Sequence, residues 1–328
     1  MSDPDLPPLD GTKVAVVGAG IAGLTAARKL AKAGAGVTVF EKSRGVGGRL
    51  ATRRVDAAGV DHGAQYVTAR EPAFKAFAAR AKAEGSLAAW SPRGKDGDEE
   101  WLVGMPRMSS FVAALVDNFE VVNNRTVTGI RDDGATFTVT FDDATEIGGF
   151  GRVVVAVPGP QAFTLLEPFG APFGRIPEAR FGPCWTLMVA MADTVDPGFD
   201  VKRDIGPLAW VASSASKPGR SGNFWVAQAN PTWSLEHLEE TADDIEPQLL
   251  AMLEAAIGTL PERTYTAAHR WRYALVEKAL GVSFLLSNDG RIGACGDWMI
   301  APRVESAWAS GGSLADAIIA RGLAAAAS

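Results

Sequence analysis

The first patterned stretch is an apolar run, Lys13-Val-Ala-Val-Val17, which breaks at Gly18-Ala-Gly20-Ile-Ala-Gly23 and resumes at helical spacing through Leu24 and Leu30. A second apolar run, Val37-Thr-Val-Phe40, then ends in Glu41. Two short apolar strands around a helix predict a βαβ unit over 13–41. Downstream, 73–84 reads as an amphipathic helix rich in Ala and Lys, 95–100 as a charged, mobile loop, and 109–119 as a short helix. Segments 121–130 and 136–141 read as a hairpin around the turn string Asp132-Asp-Gly134, and 152–158 as a strand returning to the main sheet. From 183 to 273 the texture changes. Strand-like runs at 184–192, 208–213, 223–229 and 264–273 alternate with helical stretches at 232–240 and 243–257. Five of the nine tryptophans fall in this part, which marks it as a domain with its own core.

The expected fold class is therefore α/β. A discontinuous Rossmann-type nucleotide domain (1–66, 102–168 and 290–328) carries an inserted mixed sheet with helices (67–101 and 169–289). The Ala-rich end, 314–327, is interrupted by Asp316 and Arg321 and reads as a helix that packs and then frays.

The glycine spacing gives the first unit its chemistry. Gly18 permits the tight turn out of the strand, Gly20 lets the backbone approach a pyrophosphate, and Gly23 lets the helix pack closely. With Ile21 and Ala22 they open a helix whose N-terminal amides and dipole favour phosphate. Glu41 stands where a carboxylate accepts hydrogen bonds from ribose hydroxyls, and it would repel a 2′-phosphate, which disfavours NADP there. A second glycine-rich turn follows at once, Lys42-Ser-Arg-Gly-Val-Gly47-Gly48-Arg49-Leu50. NAD binding has no need of it.

Bulk properties narrow the field. With 328 residues, two domains are expected. A net charge of −6, from 32 basic and 38 acidic residues, argues against nucleic acid or an anionic membrane as the main partner. No apolar run reaches membrane-spanning length, and the acidic, proline-bearing start does not resemble a signal segment. The cysteines, Cys184 and Cys295, form no C-x-x-C, which excludes a flavin disulfide reductase. His62, His237 and His269 are scattered, so no metal site is expected. A reducing cytoplasm is the expected compartment.

The 42–50 segment resembles the GxxGGR motif of the FAD-containing amine oxidase superfamily. Val60-Asp-His-Gly-Ala-Gln-Tyr66, Val153-Val-Val-Ala-Val-Pro158, Ile292-Gly-Ala-Cys-Gly-Asp297 and Val304-Glu-Ser-Ala-Trp308 resemble its flavin-side segments. The resemblance implies FAD as cofactor and a GR2-like domain similar to that of p-hydroxybenzoate hydroxylase. It also implies cofactor contacts from Lys42, Gly47, Gly48, Arg49, Leu50, His62, Gly63, Ala64, Gln65, Tyr66, Val127, Pro158, Asp297, Ser306 and Ala307. Within the superfamily the chain resembles the renalase family. The supporting strings are Gly45-Val-Gly-Gly-Arg-Leu-Ala-Thr-Arg-Arg54, Trp225-Val-Ala-Gln-Ala-Asn230 and His269-Arg-Trp-Arg-Tyr273.

The segment 264–273 alternates with period two. Tyr265, Ala267, His269, Trp271 and Tyr273 share one face, and Arg270 and Arg272 share the other. The pattern alone leaves open whether the ring face is packed core or a wall for a flat heteroaromatic substrate. The resemblance favours a wall, with His269, Trp271, Trp185 and Gln65 as catalytic candidates. Gln228 either orients a substrate amide or satisfies a carbonyl.

Only one dinucleotide fingerprint is visible, so the electron donor is expected to enter a pocket directly. The resemblance implies misreduced NAD(P)H isomers as substrates, restored to NAD(P)+, with O2 as oxidant and H2O2 as product. Loss of hydride from a dihydropyridine restores aromaticity and needs no strong base, which suits a chain with no evident triad or carboxylate pair. Lys217, Arg220 and Arg203 are the candidate cations for the substrate diphosphate. Two alternatives remain: an amine oxidase or desaturase, with Lys278 the candidate lysine, and a flavin-binding protein without turnover.

Overall fold

The computed structural model describes residues 9–56 and 58–326. In chain order the elements begin β1 (Lys13–Val17), α1 (Ile21–Lys32), β2 (Gly36–Glu41), β3 (Thr52–Val55), β4 (Ala58–Asp61), α2 (Pro72–Ala83), β5 (Leu87–Trp90), β6 (Trp101–Gly104) and α3 (Met108–Ala113). They continue with β7 (Glu120–Asn123), β8 (Val127–Asp132), β9 (Phe137–Phe141), β10 (Glu146–Phe150), β11 (Arg152–Val155), α4 (Gly159–Leu166) and β12 (Arg180–Met191). The last are β13 (Val201–Ile205), β14 (Leu208–Ser213), β15 (Asn223–Ala229), α5 (Pro231–Glu236), α6 (Ala242–Ile257), β16 (Arg263–Lys278), β17 (Leu285–Leu286), β18 (Ile292–Ala294) and α7 (Val304–Ala326). They form two units: Met1–Gly48, Val112–Arg180 and Val276–Ser328 in one, Arg49–Phe111 and Phe181–Leu275 in the other.

The first unit is built on a six-stranded sheet in the order β17-β18-β11-β1-β2-β7. Four of its five pairings are parallel, and β17 is antiparallel to β18. Val14 to Val17 are all buried, as a parallel strand covered on both faces requires. Helices α1 and α7 pack so tightly that a Cβ on Gly311 would lie 2.1 Å from the Ala22 carbonyl oxygen. A three-stranded antiparallel sheet, β10-β9-β8, completes the unit.

The expected hairpin strand 121–130 is two strands. Asn124 takes a left-handed conformation (φ 56°). The chain before it joins the main sheet as β7, and the chain after it pairs with β9 as β8. The expected fraying of the Ala-rich end past Ala326 lies outside the described residues.

The second unit carries a five-stranded sheet, β13-β14-β15-β12-β16. Period-two alternation divides β12 between two cores. Trp185, Leu187, Val189 and Met191 face Ile245, Leu249, Leu253 and Ile257 of α6. Met188 and Ala190 face Val60 of the β3–β4 hairpin, with Phe224 and Val226 of β15. A capping box between Thr241 and Asp244 starts α6. Strand β13 carries three consecutive charged residues, Lys202-Arg203-Asp204, and lies at the sheet edge against β14, and the hydrophobic pattern missed it.

The unit boundaries differ from the expected ones. Residues 49–66 and 102–111 belong to the second unit, because Val60 is buried in the second unit's sheet. Residues 169–180 and 276–289 belong to the first. There β17 extends the six-stranded sheet, and the 3-10 turn Phe173–Glu178 packs on α4.

Candidate functional site

In the first unit two glycine turns form one corner. Gly18 has φ 102°, and a Cβ there would lie 2.9 Å from the Ala156 carbonyl oxygen. A Cβ on Gly23 would lie 2.0 Å from the Gly18 carbonyl oxygen. Both glycines are thus demanded by the protein itself. Gly20 is different: a Cβ there would meet nothing within 4 Å. No protein neighbour requires its bareness, at the start of α1, whose next residues, Ile21 and Ala22, are buried.

The second glycine turn lies directly against the first. The Gly47 amide donates to the Ala19 carbonyl at 2.9 Å, Gly47 bridges Gly20, and a Cβ on Gly48 would sit 3.4 Å from the Gly20 Cα. Glu41, buried at the end of β2, accepts from the Ala19 amide through Oε2 and from the Ser43 amide through Oε1, each at 2.8 Å. Each oxygen keeps a further lone pair for a hydroxyl donor. The Arg125 amide bonds the Glu41 carbonyl at 3.0 Å, which brings the start of β8, with Val127, close to that carboxylate's strand.

Lys42 is exposed. Pro158 precedes α4, and the neighbouring Val157 carbonyl accepts from the Trp298 indole at 3.1 Å. Asp297 is buried and accepts the Trp298 amide at 2.9 Å. Ser306 and Ala307 are buried in the first turn of α7. Cys295 is buried, which pushes its thiol up to about 12.

In the second unit, segment 62–66 is pinned from several sides. The Ala64 amide donates to the Arg49 carbonyl at 2.9 Å, and a Cβ on Gly63 would lie 2.0 Å from that same oxygen. Gln228 donates to the Gly63 carbonyl at 2.9 Å, so the carbonyl-satisfying alternative describes it. The Arg49 guanidinium donates to the Ala274 carbonyl at 3.2 Å. Leu50 is buried.

Three rings gather here from positions 62, 269 and 271. The His62 ring lies 4.9 Å from His269, edge-on, and 5.2 Å from Trp271, stacked at 28°. His269 and Trp271 are 4.5 Å apart, and the Trp271 indole donates to the His62 carbonyl at 2.9 Å. Burial first, then the charge of Arg53, pushes His269 down to about 4. Burial, followed by His269 and Arg53, pushes His62 down to about 3. Both imidazoles are neutral at pH 7. His62 Nδ1 is buried with no hydrogen-bond partner, which leaves a polar atom for a ligand.

Beneath this wall is a charge cluster that the hydrophobic pattern did not reveal. Asp61 accepts from Lys217 Nζ at 3.3 Å and Arg220 Nη2 at 2.6 Å, with all three side chains essentially inaccessible. Thr52 and the Met108 amide also donate to Asp61. Burial alone would raise the Asp61 carboxyl, but Lys217 and Arg220 hold it below its ordinary range. Burial pushes Lys217 down to about 8 despite Asp61. The partners lie 156 and 159 residues from Asp61, and no local spacing could announce them.

Several sequence-derived assignments change. Gln65 is buried and its amide is engaged: Nε2 donates to the Asp61 and Gly63 carbonyls, and Oε1 accepts from Lys217 at 2.9 Å. Those bonds tie Gln65 to the backbone at 61 and 63. Trp185 faces α6 and donates to the His237 carbonyl at 3.0 Å, so it is core. Tyr66 stacks on Trp101 at 4.2 Å, and its hydroxyl accepts from Arg203 at 2.5 Å. That makes Tyr66 part of an aromatic cluster with Trp210. Lys217 and Arg220 are committed to Asp61 and unavailable to a diphosphate. Lys278 is exposed at the end of β16, and the buried lysine is Lys217.

Among the described residues no group of His, Cys, Asp and Glu could hold a metal ion, and no helix is long and apolar enough to cross a membrane. The profile of the NAD(P)-binding Rossmann-like domain matches residues 16–81, and that of the flavin containing amine oxidoreductases matches residues 71–319. Over 72 residues the chain is 43% identical to protoporphyrinogen oxidase 2 of Arabidopsis thaliana, covering 22% of this chain and 14% of that protein. Over 104 residues it is 38% identical to hydroxyneurosporene desaturase of Rubrivivax gelatinosus, covering 32% and 20%. The matches thus span a fifth or less of these curated relatives. The fold is similar to that of an Exiguobacterium sp. 255-15 protein provisionally assigned as a protoporphyrinogen oxidase (TM-score 0.73, 12% identity, 95% of this chain and 99% of that one). It is also similar to putrescine oxidase bound to putrescine (TM-score 0.69, 17% identity, 94% and 99%).

Proposed function

We propose a reaction from one premise: the chain belongs to the flavin containing amine oxidoreductase family. On this reading it is an oxidase that takes hydride from dihydronicotinamide-type molecules. Misreduced NAD(P)H isomers are its substrates, NAD(P)+ and H2O2 its products, O2 its oxidant, and the cytoplasm its compartment. The first-unit cradle fits FAD: the bare Gly20 and the start of α1 suit a diphosphate, Gly47 and Gly48 lie against them, and Glu41 suits ribose hydroxyls. Asp297, Ser306 and Ala307 are its further candidate contacts. FAD would supply the two-electron acceptor.

The observation that carries the substrate reading is the neutral ring wall of His62, His269 and Trp271. It offers stacking surface and hydrogen-bonding nitrogens, and its two imidazoles titrate far below neutrality. Such a wall orients and dehydrates a flat ring without removing a proton from it. That suits a donor that becomes aromatic on losing hydride. On this reading His269 positions the ring, supported by Trp271, whose indole donates to the His62 carbonyl.

The deciding experiment is anaerobic reduction of the yellow holoenzyme by a panel of dihydronicotinamide isomers and small amines. Rapid bleaching by the isomers and not by amines is expected. Bleaching by amines alone would replace this reading with amine oxidation, and no bleaching by any donor would leave a flavin-binding protein without turnover. His269→Ala should slow reduction by the isomers about 10- to 100-fold with the chromophore retained. Loss of the chromophore would make His269 structural.

A further inference from the structure

We infer that the second unit's ring wall receives a substrate bearing an oxyanion, a carboxylate or a phosphate, and that Arg53 anchors it. The inference rests on reading this wall as the substrate site and names the class of molecule it takes.

The hairpin register fixes where Arg53 points. Strands β3 and β4 pair Thr52 with Asp61, Arg53 with Val60, and Val55 with Ala58. Directly opposed residues share a face. Thr52 and Asp61 occupy one face, where the Thr52 hydroxyl donates to the Asp61 carboxylate at 2.6 Å. Arg53, Val55, Ala58 and Val60 occupy the other. Val55, Ala58 and Val60 pack there with Tyr265 and Ala267 of β16. The same face of β16 continues to His269 and Trp271 by period two. Arg53 therefore lies on the hairpin face that meets the ring-bearing side of the sheet. Its charge acts on both imidazoles there.

Charge then selects the ligand. Arg53 is half-buried, and among the described residues no carboxylate or hydrogen-bond acceptor pairs with it. The carboxylate whose charge reaches His62 is Asp61, and Lys217 and Arg220 already engage it. Arg53, Lys217 and Arg220 thus stand with a single carboxylate, Asp61, in a chain whose net charge is −6. The two imidazoles add no negative charge. A cationic amine would enter against that field, whereas an oxyanion meets a guanidinium fork with no competing partner. The flanking indole and imidazoles suit a planar ring carrying the anion.

The test is equilibrium binding to the holoenzyme, read by flavin absorbance and tryptophan fluorescence. The probes are nicotinate, nicotinamide mononucleotide, benzylamine and putrescine. At least one anionic probe should bind about tenfold or more tightly than either amine. Nicotinate in the lead assigns a carboxylate, and the mononucleotide in the lead a phosphate. Arg53→Gln should weaken that anion about tenfold or more at unchanged melting temperature, and Arg53→Lys should restore most of it. Tighter binding of the amines by the wild type, or anion binding indifferent to Arg53→Gln, overturns the inference. The two readings fail separately. Arg53-dependent anion binding without reduction by any dihydronicotinamide would refute the proposed reaction and leave this site standing. Reduction by the isomers at the same rate and affinity in Arg53→Gln would do the opposite.

Discussion

The glycine cradle of the first unit and the ring wall of the second are built by opposite means. The cradle is made of backbone. Its working parts are amides, carbonyls and positions where a side chain is missing, and its buried carboxylate Glu41 is held by two amides near its own strand. The wall is made of side chains. Three rings converge from positions 62, 269 and 271, over a carboxylate whose two cations come from 217 and 220. A backbone site is defined by what must be absent from it, and a side-chain site by what must be present. The first should fail when atoms are added, the second when charge is removed.

The largest effect should come from removing the buried carboxylate. Asp61→Asn would strand Lys217 and Arg220 without a counter-charge, and should destabilise the protein by about 3–5 kcal/mol. Chemical denaturation checks this, and a loss below about 1 kcal/mol would show that the cluster is not what holds the wall.

Next comes a pair of additions to the cradle. Gly23→Ala puts a methyl into the Gly18 carbonyl and should lower stability by about 1–3 kcal/mol even without cofactor. Gly20→Ala meets open space, so the apoprotein should melt as the wild type does while retention of FAD falls sharply. Melting curves of apoprotein beside flavin content after gel filtration separate the two. Equal behaviour of both variants would break the distinction between a glycine kept for packing and one kept for a ligand.

The smallest effect is acid sensitivity of the wall. His62 and His269 titrate at about 3 and about 4 in the folded chain, against an ordinary 6.5. Between about pH 6.5 and 4 the unfolded chain therefore binds more protons, and stability falls as the pH is lowered. Above 6.5 the pair contributes no slope. Asp61, held below its ordinary 3.8, stabilises the fold above that value and adds its own loss only at lower pH. Replacing His269 with Gln should flatten the slope between pH 6 and 4 in denaturation titrations, and an unchanged slope would remove His269 from the account.

The same contrast explains what was legible. Gly18, Gly20, Gly23 and Glu41 lie within 24 residues, and their roles follow from a strand, a turn and a helix in succession. The alternation in β16 was equally plain, because period two places Tyr265, Ala267, His269 and Trp271 on one face whatever surrounds the strand. What alternation cannot state is which neighbour that face meets. Trp185 carried the same apolar signal as a pocket residue, yet its face of β12 meets α6. Tyr66 sits in the same short string as His62, yet it stacks on Trp101.

The sequence by itself determined the nucleotide turn, the family and the faces of the strands, since each depends on residues a few positions apart. Tertiary structure decided that Asp61 is neutralised by Lys217 and Arg220, and that Arg53 shares a hairpin face with Val60. Burial strength and charge pairing depend on which distant segments meet. Such meetings are set by the packing of whole sheets and hairpins rather than by any local period.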